Sequence, residues 1–501
     1  MVLTCLQMQN AEKVAFAQGC CAGDLMAEAG LGIARVLQQF FPHPGHLVLY
    51  LGSGNNAGDA LVAASHLHAA GWIISARLTG KVEDFKELPA RHWRELNGKV
   101  TILDSAISIP ESLGKIVLMD GIVGIGARGG LQGGAADLVR EMNALRRCRH
   151  AFTVALDLPS GLDPGKGIPT EPCVEADMTV TIAYAKTALL TDQATPVVGR
   201  LAIAPLQKLL ATGSDNTDQV LTSRLLLPQL PRRSFEFHKG LAGRVGIVAG
   251  SRGFLGAAVL CASGALRGGA GLVTLYVKEA IYPLLVTQVP SSVMVKVVRN
   301  YRDVLDDPLD ALAIGPGLGF ENQEEVRELM AIAKVPAVID ADALTILAQG
   351  GLEILQAGQT QKLLTPHPGE MARLLRATPE WSTLSRREQV VHFTDRYPGT
   401  VLLLKGARTV IGASRQPVSY NSTGHPGMAT GGMGDVLTGL AAALAAQGVK
   451  LYHAACLAAW LSGRAAELAL TCGHQSQESL TADDILNHLG MAFEDLKALA
   501  Y

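Results

Sequence analysis

Short apolar runs rich in β-branched residues recur along this chain, separated by helical patterns. Most of them stop on a glycine or a polar residue. His46–Gly52, Lys115–Asp120, Ala151–Asp157 and Met178–Ala183 form a first series, and Arg244–Ala249, Leu272–Val277, Ala311–Gly315, Ala337–Asp340 and Val401–Lys405 a second. Runs of this length without polar alternation read as strands buried on both faces. Strands joined through helices build a parallel sheet, so the predicted fold class is α/β in both parts. An open parallel sheet places ligands beyond the carboxyl ends of its strands, so the residues just after each run are where chemistry is expected. At 501 residues the chain is too long for one ordinary domain. The polar, patternless stretch at 211–220 is the predicted linker, giving a Rossmann-like three-layer domain at 1–219 and a second α/β domain at 220–501. Ala257–Leu266 and Leu451–Trp460 are apolar nearly all round yet too short to span a bilayer, and are predicted to be packed core helices.

A formal charge of −2 and the lack of a dominant basic patch exclude a nucleic-acid groove, and Arg146, Arg147 and Arg149 read as a solvated face. The eight cysteines include no Cys-x-x-Cys spacing, which predicts reduced thiols in a cytoplasmic setting. Residues 1–10 lack a basic start and a long apolar core, and no apolar run reaches membrane-spanning length. The expectation is a soluble, unexported protein without a membrane partner, assembled as a homo-oligomer.

The segment Gly424-His-Pro-Gly-Met-Ala-Thr-Gly-Gly-Met-Gly-Asp435 leads straight into the apolar helical pattern Val436–Leu444. Glycines at 431, 432 and 434 let backbone N–H groups turn inward, and the helix start adds its positive end. That combination suits an anion. Asp435 could cap the helix, or could accept the proton of a hydroxyl attacking phosphorus. Four further pieces stand at strand ends. Gly315-Pro-Gly-Leu-Gly319 could lie against a ring or a phosphate, and Thr365-Pro-His-Pro-Gly-Glu370 holds His367 between prolines. Lys405-Gly-Ala-Arg-Thr409 offers an ammonium, amides and a hydroxyl. Asp340 and Asp342 could support magnesium, though a helix cap is the preferred reading.

Together with Lys239-Gly and Gly256-Ala-Ala, these pieces resemble the ribokinase-like superfold, and within it the ADP- or ATP-dependent NAD(P)H-hydrate dehydratases, over most of 225–501. The resemblance implies that Asp435 is the catalytic base and a substrate contact. It implies that Ala257, Gly317 and His367 meet the hydrated cofactor, and that Lys405, Gly406, Ala407, Arg408, Thr409 and Gly434 hold the adenine nucleotide. Magnesium is expected with it. ADP is favoured as donor because bacterial members of the family generally use it.

In the first half, Gly52-Ser-Gly-Asn-Asn-Ala-Gly-Asp59 lies between a strand and a helix, a phosphate-friendly arrangement that an Asn-Gly turn capped by Asp59 would also produce. Asp120 precedes Gly124-Ile-Gly-Ala-Arg-Gly-Gly130, and Asp157 precedes Ser160. Carboxylates at two strand ends offer a proton acceptor and a hard-cation site. Over about 1–215 this half resembles the NAD(P)H-hydrate epimerases. The likeness implies that Asn55, Asn56, Ala57, Gly58 and Asp59, with Gly124, Ile125, Gly126, Ala127, Arg128, Gly129 and Gly130, bind the hydrated nucleotide. It further implies that Asp157 binds it and moves a proton, and that Asn56, Asp120 and Ser160 hold potassium. Lys186 is either a further catalytic group or a solvent-facing charge. Ser53, Ala57 and Ala60 stand where the family has Pro and two Gly, and a methyl at 57 is expected to strain any positive-φ backbone and narrow the phosphate approach. Ile125, His425 and Met433 also depart from the usual Thr, Asn and Thr.

The function so implied is repair of hydrated NADH and NADPH: epimerisation in the first domain, ADP-dependent dehydration in the second. The rival is a small-alcohol kinase fused to a nucleotide-binding module without activity.

Overall fold

A computed structural model describes residues 1–96, 98–105, 115–126, 129–209, 218–357, 360–473 and 475–499. Contacts divide the chain into two compact units, 1–219 and 220–500. Of the predicted linker, residues 211–217 lie outside the described ones.

The first unit carries seven parallel strands: β1 (His46–Leu51), β2 (Ile73–Leu78), β3 (Val100–Ile102), β4 (Ile116–Gly121), β5 (Phe152–Leu156), β6 (Met178–Ile182) and β7 (Arg200–Ala204). Their spatial order is β3-β2-β1-β4-β5-β6-β7. The chain moves outward through β2 and β3, then returns to the other side of β1, so a crevice opens between β1 and β4 at their carboxyl ends. Register sets Leu51 opposite Gly121 and Asp120 opposite Ala155. The loops that follow β1, β4 and β5 therefore leave from neighbouring points. All six β1 residues are buried, as an uninterrupted apolar run requires. Of the helices, α1 (Cys5–Ala17) starts with a capping box between Thr4 and Gln7. α2 (Ala22–Phe40) and α3 (Asn55–Ala69) share one apolar cluster with the sheet, and α4 (Gly133–Arg149) belongs to a second. A short parallel ladder joins Val2–Leu3 to Ala185–Lys186, which the apolar pattern did not announce.

In the second unit the same logic recurs with β8 (Arg244–Val248), β9 (Leu272–Val277), β10 (Val293–Val297), β11 (Ala311–Ile314), β12 (Ala337–Ile339), β13 (Lys362–Leu364), β14 (Thr400–Leu404), β15 (Val410–Ala413) and β16 (Ser419–Tyr420). These lie in the order β16-β15-β14-β13-β12-β11-β8-β9-β10, parallel except where β15 and β16 fold back. The crevice here falls between β8 and β11. Its helices include α5 (Leu255–Arg267), α6 (Ala341–Ala348), α7 (Pro368–Leu374), α8 (Met433–Ala446), α9 (Leu451–Thr471) and α10 (Ala482–Lys497). α9 is buried along most of its length, as expected of Leu451–Trp460, whereas of Ala257–Leu266 only Ala258, Cys261, Ala262, Gly264 and Ala265 are buried and the rest are half-buried; every residue from Val436 to Ala446 is buried. None of the described helices is long and apolar enough to cross a membrane.

Helices α5 and α8 touch backbone to backbone. A Cβ on Gly439 would collide with the Cys261 carbonyl, and one on Gly264 with the Val436 carbonyl. This crossing holds the amino end of α8 over the sheet. Gly439→Val should therefore lower the stability of the second unit by about 3 kcal/mol or more, read by denaturant unfolding; an unchanged midpoint would mean that the helices cross elsewhere.

Candidate active sites

In the second unit, the loops after β11, β12, β13 and β14 and the amino end of α8 converge. Asp340 follows β12 at the position before α6, but its side chain makes no bond to that helix. Its Oδ1 accepts from Lys405 Nζ at 2.8 Å and its Oδ2 from Thr438 Oγ1 at 2.8 Å. The preferred reading of Asp340 as a cap is thus corrected: the half-buried Lys405 ammonium at the end of β14 draws the buried carboxylate as its counter-charge, and α6 goes without a side-chain cap. Burial alone would lower the Lys405 pKa, but the Asp340, Glu370 and Asp435 charges outweigh it and hold the ammonium above its ordinary value. Asp342 Oδ2 accepts the Gly319 N–H at 2.9 Å and so fastens the Gly315–Gly319 turn.

Helix α8 begins after Gly432, whose φ of 89° lies in the left-handed region that favours glycine. The first intrahelical bond runs from Val436 N to Gly432 O, so the amides of Met433, Gly434 and Asp435 precede any helical acceptor. Open space adjoins Gly431, while a Cβ on Gly434 would stand 3.2 Å from Lys405 Nζ and 3.4 Å from Asp340 Oδ2. Asp435 makes no capping bond, which disposes of its structural reading. Its pKa is pushed up to about 7, first by burial and then by the Asp340 charge, with Lys405 opposing. A carboxylate poised near neutrality beside unpartnered amides and an ammonium can take a proton while an anion sits next to it.

His367 caps α7: its Nδ1 accepts the N–H groups of Gly369 at 3.0 Å and Glu370 at 3.3 Å, while Glu370 Oε2 accepts the His367 N–H at 2.8 Å. This bonding assigns the neutral ring's proton to the half-exposed Nε2. Gly317, at φ 57°, would place a Cβ 2.9 Å from that of Ala257, so these two expected contacts do meet. The 405–409 segment divides. Lys405 turns to the carboxylates, Gly406 and Ala407 are exposed, and Thr409 is half-buried. Arg408 is buried, and its carbonyl accepts from Arg386.

The first unit gathers its residues at the crevice between β1 and β4. Asp120 is fully buried, with Oδ1 accepting from Ser160 Oγ at 2.7 Å and from Ile122 N at 3.2 Å, and Oδ2 from Ser160 N at 2.7 Å. All these donors are neutral, and burial pushes its pKa up to about 6. Ser160 Oγ also accepts the Val123 N–H at 3.0 Å. Asn56 is buried against Gly124, and its Nδ2 has no partner. Asp157 adopts a φ of 65° just past β5, and its Oδ1 accepts from Ile182 N at 3.0 Å, Thr181 Oγ1 at 3.3 Å and Lys186 Nζ. Lys186 also donates to Thr181 Oγ1 at 3.1 Å and Ile182 O at 2.7 Å, so all three of its protons are engaged. It is fully buried, which corrects the reading of a solvent-facing charge.

One expectation for the binding loops changes. Ala57 lies inside α3 without a positive φ, and its methyl belongs to the apolar core, so it neither strains the backbone nor narrows an approach. Gly58 faces Met26 of α2, whose thioether would stand 2.5 Å from an added Cβ, and serves packing. Ile125 packs on the cluster that includes Leu3 and Met8, while Gln9 Nε2 donates to its carbonyl at 3.1 Å. Asn55, Gly126, Gly129 and Gly130 are exposed; Ala127 and Arg128 lie outside the described residues. Asp59 is half-buried, its pKa pushed well up by burial and then by the Asp157 and Glu12 charges.

Residues 245–489 match the protein family described as NAD(P)H-hydrate dehydratase, and 22–188 that described as YjeF-related protein N-terminus. Over 499 residues the chain is 37% identical to the bifunctional NAD(P)H-hydrate repair enzyme of Moorella thermoacetica, covering 94% of this chain and 92% of that protein. The chain belongs to the bifunctional NAD(P)H-hydrate repair enzyme family. The Escherichia coli repair enzyme is 34% identical over 453 residues, 89% of this chain and 85% of that one. A solved ADP/ATP-dependent NAD(P)H-hydrate dehydratase from Bacillus subtilis, co-crystallised with ATP and Mg2+, is 30% identical over 55% of this chain and 97% of that one, with a TM-score of 0.47.

Sequence reasoning missed three side chains at the sites of this repair enzyme. Glu370 is 5% exposed, its pKa raised by burial with Lys405 opposing. Its place three residues after a capping His367 was the available signal. Thr438 is fully buried, and its hydroxyl in an otherwise apolar helix pattern could have marked it. Glu12 on α1 is raised by burial and by Asp157, but nothing in its local pattern points to a site.

Proposed function

We propose that the first unit interconverts the R and S epimers of hydrated NADH and NADPH, and that the second dehydrates the S epimer with ADP. The observation that carries the reading is Asp435, set near neutrality beside the opening amides of α8 and the Lys405 ammonium. The hydroxyl on ring carbon six would attack the terminal phosphorus of ADP while Asp435 takes its proton and AMP departs. The amides of 433–435 and Lys405 would hold the transferred phosphoryl group. Breaking the carbon–oxygen bond then expels phosphate with its electron pair, and loss of the carbon-five proton restores the dihydronicotinamide. Net products are NAD(P)H, AMP and phosphate. His367, Gly317 and Ala257 would line the hydrate's pocket, and residues 405–409 with Gly434 would lie along the nucleotide.

No group of three or more His, Cys, Asp or Glu side chains converges as a metal cage among the described residues. Magnesium needs only one or two carboxylates when phosphates and water supply its other oxygens. Glu370, whose pKa burial raises, fits that part; the ion would offset charge on the phosphates. In the first unit, the fully buried Asp120 accepts from neutral groups, the Ser160 hydroxyl and the Ser160 and Ile122 amides, and its oxygens beside that of Ser160 make a setting that suits potassium. Asn56, with its orphaned amide nitrogen, completes the set by turning its oxygen inward. Asp157, held by Lys186, would bind the hydrate and move the proton of epimerisation. Cytoplasmic residence and a homo-oligomeric assembly complete the reading.

The test is to supply ADP or ATP with S-NADHX and follow the returning nicotinamide absorbance. Recovery with ADP supports the reading; no recovery together with phosphorylation of a small alcohol replaces it by a kinase. Supplying pure R epimer tests the first unit, which only binds if R persists while S is consumed. Because Asp435 must be ionised to accept a proton, the dehydration rate should climb tenfold per pH unit below about 7 and level off above it. A rate that falls through that range would assign Asp435 an acid role instead.

A further inference from the structure

The loop that ends at Asp435 is anchored at its other end by a buried ionic chain reaching to the last helix. Gly424 opens this loop with φ 126°, and its N–H donates to Glu467 Oε1 at 3.0 Å. Glu467 Oε2 accepts from Arg464 Nη1 at 2.9 Å, and Arg464 in turn donates to Asp495 Oδ2 on α10 at 2.7 Å. The Arg464 and Glu467 side chains are each 3% exposed. The same face of α9 holds the preceding residues: Thr423 Oγ1 donates to Trp460 O at 2.8 Å, and Asn421 Nδ2 to Ala459 O at 3.2 Å. A Cβ on Gly463 would collide with Thr423, so the helix and loop backbones lie against each other.

We infer that Glu467 is a positioning residue for dehydration: through the Gly424 N–H it fixes where the anion loop starts, and thereby where the amides of 433–435 and the Asp435 carboxylate stand. The inference rests on the dehydratase reading of this unit. An apolar contact would stabilise the α9–α10 packing as well as this ionic chain does, without the cost of desolvating the Arg464 and Glu467 charges; Asp495 stays 29% exposed. What the charges add is a directional acceptor for one backbone donor at the head of the catalytic loop. Both Glu467 oxygens are engaged, by Gly424 and Arg464, and the side chain is buried, so its effect falls on the alignment of reacting groups, where a displacement of about 1 Å can lower turnover about 100-fold.

The experiment measures full-length Glu467→Leu, Glu467→Gln and Thr423→Val with S-NADHX and ADP. Glu467→Leu removes the acceptor and should lower kcat about 10- to 100-fold, with KM for the hydrate within about twofold. Glu467→Gln retains an acceptor oxygen of the same reach and should regain most of that loss. Thr423→Val cuts the neighbouring tether without touching a charge, so it reports even if the leucine variant does not fold, and should lower kcat several-fold at unchanged KM. Full kcat in Thr423→Val, or a kcat loss in Glu467→Leu that glutamine does not regain, would overturn the inference. If wild type itself recovers no NADH, the dehydratase reading fails instead.

Discussion

Asp435→Asn should lower dehydration about 100- to 10,000-fold while leaving the fold intact and the hydrate bound. The carboxamide keeps the shape of the carboxylate but cannot take the hydroxyl's proton, and the amides of α8 and Lys405 remain in place. The apo protein should respond in the opposite direction. Asp435 has a folded pKa of about 7, above that of the unfolded chain, so its contribution to stability is complete at low pH and is lost as pH rises through about 7. The asparagine variant removes that loss. Its Tm should exceed wild type above neutrality and converge on it in acid, a narrowing that thermal melts at pH 5 and 9 would reveal. Turnover near that of wild type would remove Asp435 as the base, and a Tm difference independent of pH would contradict its raised proton affinity.

Lys186→Met should destabilise the first unit by about 3–5 kcal/mol, because it leaves Asp157 buried beside an apolar side chain. Epimerisation should disappear with it. All three ammonium protons are bound, by Asp157, Thr181 and Ile182, so Lys186 holds the Asp157 carboxylate in place. Asp157→Asn leaves a neutral acceptor for the ammonium and should cost less stability while still stopping epimerisation. Consumption of S hydrate with ADP should continue in both variants. Denaturant titration paired with epimer-resolved chromatography separates the two effects; retained epimerisation in Asp157→Asn would move the proton chemistry to another group, with Asp59 and Glu12 both in electrostatic reach of Asp157.

The strands were legible because each is an apolar run buried on both faces, and β1, β4, β5 and β6 begin and end within a residue or two of the predicted bounds. The ladder between Val2–Leu3 and Ala185–Lys186 was not, since two-residue strands carry no period and their pairing is set by distant parts of the chain. The anion loop announced itself because glycines before an apolar helix do one recognisable thing. Asp340 misled because its backbone occupies a cap position while its carboxylate answers a lysine 65 residues away. Ala57 misled for the converse reason: the strain argument holds only for positive φ, and α3 begins two residues earlier than that argument required. Lys186 could not be resolved by local pattern, since burial of a charge depends on a partner brought in by the sheet.

The central claim is that the ring hydroxyl of the hydrate is phosphorylated and leaves as phosphate. Oxygen tracing tests it most directly: S-NADHX carrying 18O at its carbon-six hydroxyl is converted with unlabelled ADP, and the inorganic phosphate is analysed by mass spectrometry. One 18O atom per phosphate is the expected result. Unlabelled phosphate, with the isotope released into water, would mean that ADP cleavage and dehydration are separate events and would contradict the account.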